Sequence, residues 1–523
     1  MDYLKIGKSE ELKGYDKKIY RVLEILPGFL SWFTLLFLFI MSYFHPVFIA
    51  FFIIAFDIYW LLLVIYLGIH LLASYRKMKI NIKIDWKEKC KKLSSCKIKL
   101  KEKKCLALQG MKWEDIIHLI IFPIASESYE VIRQSIKAIT DGNYPLDKMI
   151  ILLTIEERGG PELLERVKKI EKEFSNGFKY FFITIHPDGI IGELKGKGAN
   201  QNYGARIIKK EIIDKNNLDY NKILVSIFDI DTITKSDYFY RLNYLFLTVQ
   251  NPYHASYQPI PIYHNNVWQA PFFARVAANS NTFWQMMQQI RQEKLATYSS
   301  HSMAWKTLVE INFWSTTMVS EDSRIFWHCF CYYNGDYRVE PMYYPISMDV
   351  TMDKTNWQTA KSLYKQQRRW GWGVENLPYL IFNFIKRRKK MPKMKTMSRI
   401  FTQIYGFHSW ATNALIVGVI GWMPMILGGD KFNSTVLSTN LPSITRTLMT
   451  VAMLGMVLSA ILSTMLLPKK PKKYGFVKYF IMLIQWIVLP ISIVVFGAIP
   501  GLEAQTRLML NKRLGFFVTP KSR

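Results

Sequence analysis

Cysteine is nearly absent. The five in 523 residues, at 90, 96, 105, 329 and 331, are odd in number and form no C-x-x-C pair, so neither a disulfide framework nor a zinc site is indicated. They read as reduced cytoplasmic thiols. Acidic residues are scarce too: 40 Asp and Glu face 69 Lys and Arg, a net charge of +29. No internal repeat recurs at a fixed period, and the one biased tract is the lysine-rich stretch 86–104, read as a linker on a membrane face.

What the chain has in quantity is apolar length. Residues 25–44 (ILPGFLSWFTLLFLFIMSYF) and 46–73 are each long enough to cross a hydrocarbon core, which takes about 20 helical residues. A turn at His45-Pro46 makes them a hairpin. A charged leader from Lys5 to Arg21 precedes the first run, no small-residue cleavage pattern follows it, and a second run comes at once, so it is not a cleaved signal peptide. Three more runs, 401–427, 446–467 and 476–499, follow near the other end.

Lys and Arg crowd 75–112, 386–399 and 468–473, which the positive-inside rule places in the cytoplasm. Residues 428–445 are then the short outer loop, with a glycosylation sequon at Asn433-Ser434-Thr435. Five simple crossings would leave the basic tail outside, so 476–499, interrupted by Pro490, is expected not to cross simply. Cations sited beside membrane spans bind anionic lipid at about 1 kcal/mol each, which argues against a nucleic-acid partner. Asp57 falls mid-span, where an ionisable group is costly. It is read as paired with neighbours such as Tyr59 and Trp60, or as a functional group within the spans.

Between the two apolar regions, short apolar runs at 117–124, 148–155, 180–186 and 222–231 alternate with helical patterns at 130–139 and 161–174. Such alternation predicts an α/β domain with a mostly parallel sheet covered on both faces, and ligands beyond the carboxyl ends of the strands. The chain divides into a leader and hairpin (1–74), a basic cytoplasmic linker (75–111), the α/β domain (112–350), interfacial helices (351–400), a C-terminal transmembrane region (401–500) and a basic tail (501–523).

Three clusters carry chemistry. Asp229 and Asp231 stand at the end of the run SIFDID, where residues i and i+2 of an extended chain face the same way and can share one hard cation such as Mg²⁺ or Mn²⁺. A solvated capping turn explains the same pair equally simply. Glu321 and Asp322 open an amphipathic helical run, with Ser320 placed as N-cap; they serve either the helix dipole or, through a carboxylate base, an attacking hydroxyl. Gln366, Arg369 and Trp370, at helical spacing in YKQQRRWGWG, suit a hydroxyl, a diphosphate and a sugar ring, or else form an interfacial belt.

The order Asp-x-Asp, Ser-Glu-Asp, Gln-Gln-x-Arg-Trp and then membrane spans resembles the family 2 glycosyltransferases, in the membrane-embedded branch of cellulose, hyaluronan and chitin synthases. The resemblance implies a GT-A nucleotide-sugar-binding domain inserted between N-terminal and C-terminal transmembrane helices, and transfer with inversion. It makes Asp231 the metal ligand, with Asp229 at the metal or donor nucleotide. Asp322 becomes the catalytic base, and Gln366, Arg369 and Trp370 the acceptor and diphosphate residues. KGKGANQNYGAR is similar to the family's Lys-x-x-Ala-x-Asn segment through Lys197 or Lys195, Ala199, and Asn200 or Asn202.

Some motifs depart from the pattern. Pro123-Ile124-Ala125-Ser126-Glu127 keeps only the proline and Glu127 of the opening motif. TIEERGG replaces the nucleotide-binding Asp-Asp, leaving Glu156 or Glu157 that role, and ATYSSHSMAWKTL stands in for the acceptor loop. The resemblance thus implies a multi-pass enzyme of the cell (plasma) membrane with a cytoplasmic catalytic domain, a nucleotide sugar as donor (a UDP-sugar first among them), and Mg²⁺ or Mn²⁺. A saccharide or lipid-linked acceptor, membrane lipids and accessory export subunits would be its partners. The rival readings are single transfer to a polyprenyl phosphate or glycolipid, an inactive membrane scaffold, and a transporter whose soluble domain regulates it.

Overall fold

A computed structural model of the chain describes residues 3–95 and 110–520. Two long helices come first, α1 (Gly14–Phe44) and α2 (Pro46–Lys83), with Pro46 at the first position of α2, where its missing N–H costs nothing. The sheet domain follows as β1 (Ile117–Ile124), α3 (Tyr129–Thr140), β2 (Met149–Glu156), α4 (Gly160–Phe174), β3 (Tyr180–His186), α5 (Lys197–Ile208), β4 (Ile223–Ile227), β5 (Ile233–Thr234), α6 (Tyr238–Thr248), β6 (Ala255–Tyr263), α7 (Phe272–Ile290), β7 (Ser302–Ala304), α8 (Glu321–Tyr332), β8 (Arg338–Met348) and α9 (Asn356–Gly371).

The eight strands form one sheet in the order β3-β2-β1-β4-β7-β6-β8-β5. Its first half is parallel, while β7 runs antiparallel to both β4 and β6. In the parallel half, β1, β2 and β4 are buried on both faces, whereas the edge strand β3 is half-buried with Ile185 exposed. Ile120, Phe122 and Ile124 of β1 pack with Val131 and Ile132 of α3, and Leu119 and Ile121 pack with Ala205 and Ile208 of α5. That two-sided burial is why they read as unbroken apolar runs.

The lysine-rich stretch is not wholly a linker. Trp86–Ser95 is a helix whose Trp86 is buried, with the Arg241 guanidinium 4.2 Å over its ring. Residues 96–104, like Cys96 and Cys105, lie outside the described residues. Cys90, Cys329 and Cys331 are buried free thiols.

Among the described residues, five helices are long and apolar enough to cross a membrane: Gly14–Phe44, Pro46–Lys83, Lys393–Leu427, Val436–Met465 and Val477–Met509. The fourth starts ten residues before its expected position at 446. Thr435 caps it by accepting from the Ser438 N–H, and Leu441 packs on Phe432 and Ala50. Asp57 is buried at this interface with Thr445 as hydrogen-bond partner, whereas Tyr59 pairs instead with Tyr405.

The fifth helix begins against the sheet domain and meets it again midway. Tyr479 meets Trp268 at 5.4 Å, and Phe496, beyond the break at Pro490, stacks on Phe273 at 5.7 Å. Within this helix, Gln485–Val488 and Val494–Ala498 depart from α-helical geometry. Ile499–Met509 then lies along α1, with Ser31 donating to Gln505 at 2.7 Å, and the tail returns to the domain.

Candidate active site

All site residues stand at one edge of the sheet, beyond the carboxyl ends of β1, β2, β4, β6 and β8. A cavity of about 930 Å³ opens there, and Glu127, Glu156, Lys197, Asp229, Asp231, Asp322, Gln366, Arg369 and Trp370 all line it. It continues between the long helices, past Tyr59, Trp60 and Tyr66 of α2 and Tyr405 and Trp410 opposite.

KGKGANQNYGAR folds largely as α5, and Lys197 is its first residue. Its glycines lower helix propensity but allow close approach. A Cβ at Gly204 would meet Thr154 and Thr184 at 3.0 Å, and one at Gly198 would meet Glu321 at 3.1 Å. This packing drives Lys197 into the cavity, while Lys195 turns outward to Asp188 at 2.7 Å.

Lys197 is the hub of the site. Its ammonium lies 2.8 Å from both Asp322 oxygens, 2.7 Å from Asp229 Oδ1 and 3.8 Å from Glu321 Oε1. Burial opposes its charge, yet Asp229 and Asp322 outweigh burial and hold its pKa above the ordinary lysine value.

Asp229 and Asp231 do not sit on an extended strand, because β4 ends at Ile227 and the Thr232 N–H turns back onto the Asp229 carbonyl at 2.8 Å. Asp229 accepts from Ser299 Oγ at 2.6 Å, and Asp231 accepts from the Asp349 N–H at 2.9 Å. Asn265 ties the pair by donating to the Asp231 carbonyl at 3.0 Å and to Asp349 Oδ1 at 2.9 Å. Asp349 and Ser299 are thus site residues that the motif reading passed over. Asp349 carried a signal, since PISMD repeats the pattern of an apolar run ending in aspartate. Ser299 lies in the loop that departs from the family pattern, where no motif marks it.

Ser320 occupies the N-cap position of α8, but its hydroxyl donates to Glu375 at 2.6 Å instead of capping the helix. Burial, and next the Asp322 charge, push the Glu321 carboxyl up to about 8. A carboxyl raised in this way contributes fully to stability below its unfolded pKa and loses that contribution as pH rises through the folded value. Glu321→Gln is therefore expected to melt close to wild type at pH 5 and several degrees above it at pH 9, in a thermal unfolding series across pH.

Glu127 closes its own loop, accepting from the Ala125 and Ser126 N–H groups at 2.8 and 2.9 Å. Glu156, at the end of β2, pairs with Arg158 and also borders a smaller hollow of about 240 Å³ beside His186. Glu157 instead accepts from the Asp188 N–H at 2.9 Å.

On α9, Gln366 accepts from Thr351 at 2.7 Å, and Arg368 is held outside the cluster by Glu503 at 2.7 Å. The Arg369 guanidinium stacks 4.8 Å from the ring of Phe516. The same ring presses on Gly196, where a Cβ would come within 2.6 Å. Residues 516–519 of the tail thus form one wall of the cavity.

No family model and no curated protein sequence matches the chain. Among solved structures it is similar to the mannosyltransferase PcManGT from Pyrobaculum calidifontis in complex with GDP-Man and Mn²⁺, at 13% identity over 79% of this chain and 98% of that one, with a TM-score of 0.42. It is also similar to GalNAc-T7 with UDP, GalNAc and Mn²⁺ (9% identity, 56% and 58% covered, TM-score 0.34) and to TarS 1–349 of S. aureus (9%, 67% and 91%, 0.30). At TM-scores this low the likeness is partial, and function has to be read from the site itself.

Proposed function

We propose that the chain is a multi-pass, membrane-bound inverting glycosyltransferase of the GT-A type, acting at the cytoplasmic face of the plasma membrane. It would move a sugar from a nucleoside-diphosphate sugar to a saccharide acceptor. The observation that carries this is the convergence of nine residues from six separate sequence motifs on one cavity that continues between membrane helices.

A divalent cation suits the donor set, because Asp229 and Asp231 offer only carboxylate oxygens, which hard ions prefer. Among the described residues no three His, Cys, Asp or Glu side chains would hold an ion alone, so the donor diphosphate would complete the shell. Bound there by Asp231 and Asp229, Mg²⁺ or Mn²⁺ would offset the charge of the leaving diphosphate.

The chain's own residues do the rest. Asp322 takes the proton of the acceptor hydroxyl as that oxygen bonds to the anomeric carbon and the bond from that carbon to the diphosphate oxygen breaks. Arg369 and Lys197 meet the diphosphate charge, Gln366 reads a hydroxyl, and Trp370 offers a face to the acceptor sugar. Glu127 and Glu156 border the nucleoside. The reach of the cavity past Tyr59 and Tyr66 also favours a second reading, single transfer to a lipid-linked acceptor.

The test is nucleotide release from the detergent-solubilised protein across UDP-, GDP- and ADP-sugars with Mg²⁺ or Mn²⁺, with product size separating the two acceptor readings. Silence across the panel with membrane lipids and saccharide acceptors supplied would favour the scaffold. The tail makes a separate prediction. Gly196→Ala displaces Phe516 and uncovers Arg369, so it should raise the donor KM by about tenfold, roughly 1.4 kcal/mol. Deleting 514–523 should give the same rise, and combining the two should add nothing further.

A further inference from the structure

Lys197 has a feature that donor binding alone does not explain. Three acidic side chains surround its ammonium: Asp229 at 2.7 Å, both oxygens of Asp322 at 2.8 Å and Glu321 at 3.8 Å. It makes bonds of salt-bridge length to two residues that the proposed reaction needs for different tasks, one at the cation and one at the acceptor proton. We propose that Lys197 is a resident cation that stands in for the divalent metal, so that metal and ammonium compete for Asp229, and the arrival of metal with donor releases Asp322 to act as base. This inference rests on the glycosyltransferase reading and on Asp229 and Asp231 as cation ligands.

The physical case is one of exclusion. Asp229 has one oxygen on Lys197 and the other accepting from Ser299 at 2.6 Å, so it cannot turn fully to a metal while both bonds stand. An ammonium in contact with Asp229 and a divalent ion bound by the same carboxylate would be like charges a few ångströms apart in a site where water screens them little. One must yield. The lysine is the mobile partner, since its ammonium ends a four-carbon stem, whereas Asp231 is anchored by the Asp349 N–H and Asn265.

A place for the displaced ammonium exists in the same reading. Lys197 opens α5, and the donor diphosphate brings to the cavity the anionic oxygens that would replace the carboxylates it leaves. With Lys197 on Asp322, both carboxylate oxygens are engaged and the proton acceptor is occupied. With Lys197 on the diphosphate, they are free to meet a hydroxyl. Without a donor, Asp322 would thereby be kept short of the geometry that activates water.

Mn²⁺ binding to the full-length, detergent-solubilised chain tests this without turnover, by titration with the free-ion electron paramagnetic resonance signal in the absence of nucleotide. Lys197→Met should bind Mn²⁺ at least tenfold more tightly than wild type, and Lys197→Arg, which keeps the charge, should stay near wild type. Asp231→Asn should abolish binding in either background. Should Lys197→Met not fold as judged by size-exclusion profile, Lys197→Met/Glu321→Gln removes one acid together with the cation and serves in its place. Equal affinity in wild type and the Met variant overturns the competition while leaving the metal reading intact. Failure of both to bind Mn²⁺, even with UDP or GDP added, overturns the metal reading and this inference with it.

Discussion

Asp322→Asn is expected to lower sugar transfer by about 10²- to 10⁴-fold, the range that a positioned general base supplies. The substitution is suited to the site. An asparagine oxygen still accepts from Lys197, and the bond from Thr297 Oγ, 2.6 Å long, goes to the backbone carbonyl of residue 322 and is untouched. Lys197 keeps Asp229, and α8 keeps Glu321 in its first turn. Melting temperature and donor KM should therefore stay close to wild type while kcat falls, the pattern of an interaction needed only in the transition state. Rates within threefold of wild type would remove Asp322 from the base's role, and Glu321, whose carboxyl pKa burial alone already raises, is poorly placed to replace it.

The parallel half of the sheet was legible because its strands are unbroken apolar runs, buried on both faces in β1, β2 and β4. The runs 117–124 and 180–186 match β1 and β3 residue for residue. The other half was not. β7 has three residues and exists through pairing with Val225 on one side and Ser256 on the other, partners that no local pattern names. β6 carries Pro259 and Pro261 and shifts register against β8 between Gln258 and Ile260, which removes the alternation that marks a strand.

The site divides along the same line. Residues in short local motifs on helices, such as Gln366, Arg369 and Trp370, could be placed because helical spacing alone puts them on one face. The turn at 229–231 could not, since its shape follows from a backbone bond by Asp349, more than a hundred residues away. The tail shows the limit most clearly. Its basic charge opposed a simple fifth crossing, but the seating of Phe516 between Gly196 and Arg369 depends on three segments far apart in the chain.

Asp231→Asn separates what the second aspartate holds together from what it would bind. Asn keeps an oxygen able to accept the Asp349 N–H, and the Asn265 bond goes to the backbone carbonyl, so the turn should persist and the fold with it. What disappears is one negative charge at a site that is only 1% exposed, where water cannot substitute for it. If that charge serves a cation and through it the leaving diphosphate, transfer should fall by about 10²- to 10³-fold, as when one preorganised charge-stabilising group is removed. Direct Mn²⁺ binding should be lost. Asp231→Ala would also strip the Asp349 N–H of its acceptor and should lower the melting temperature as well as the rate. A structural Asp231 would show the opposite order: the Asn variant as active as wild type, and the Ala variant impaired only as far as it is unfolded.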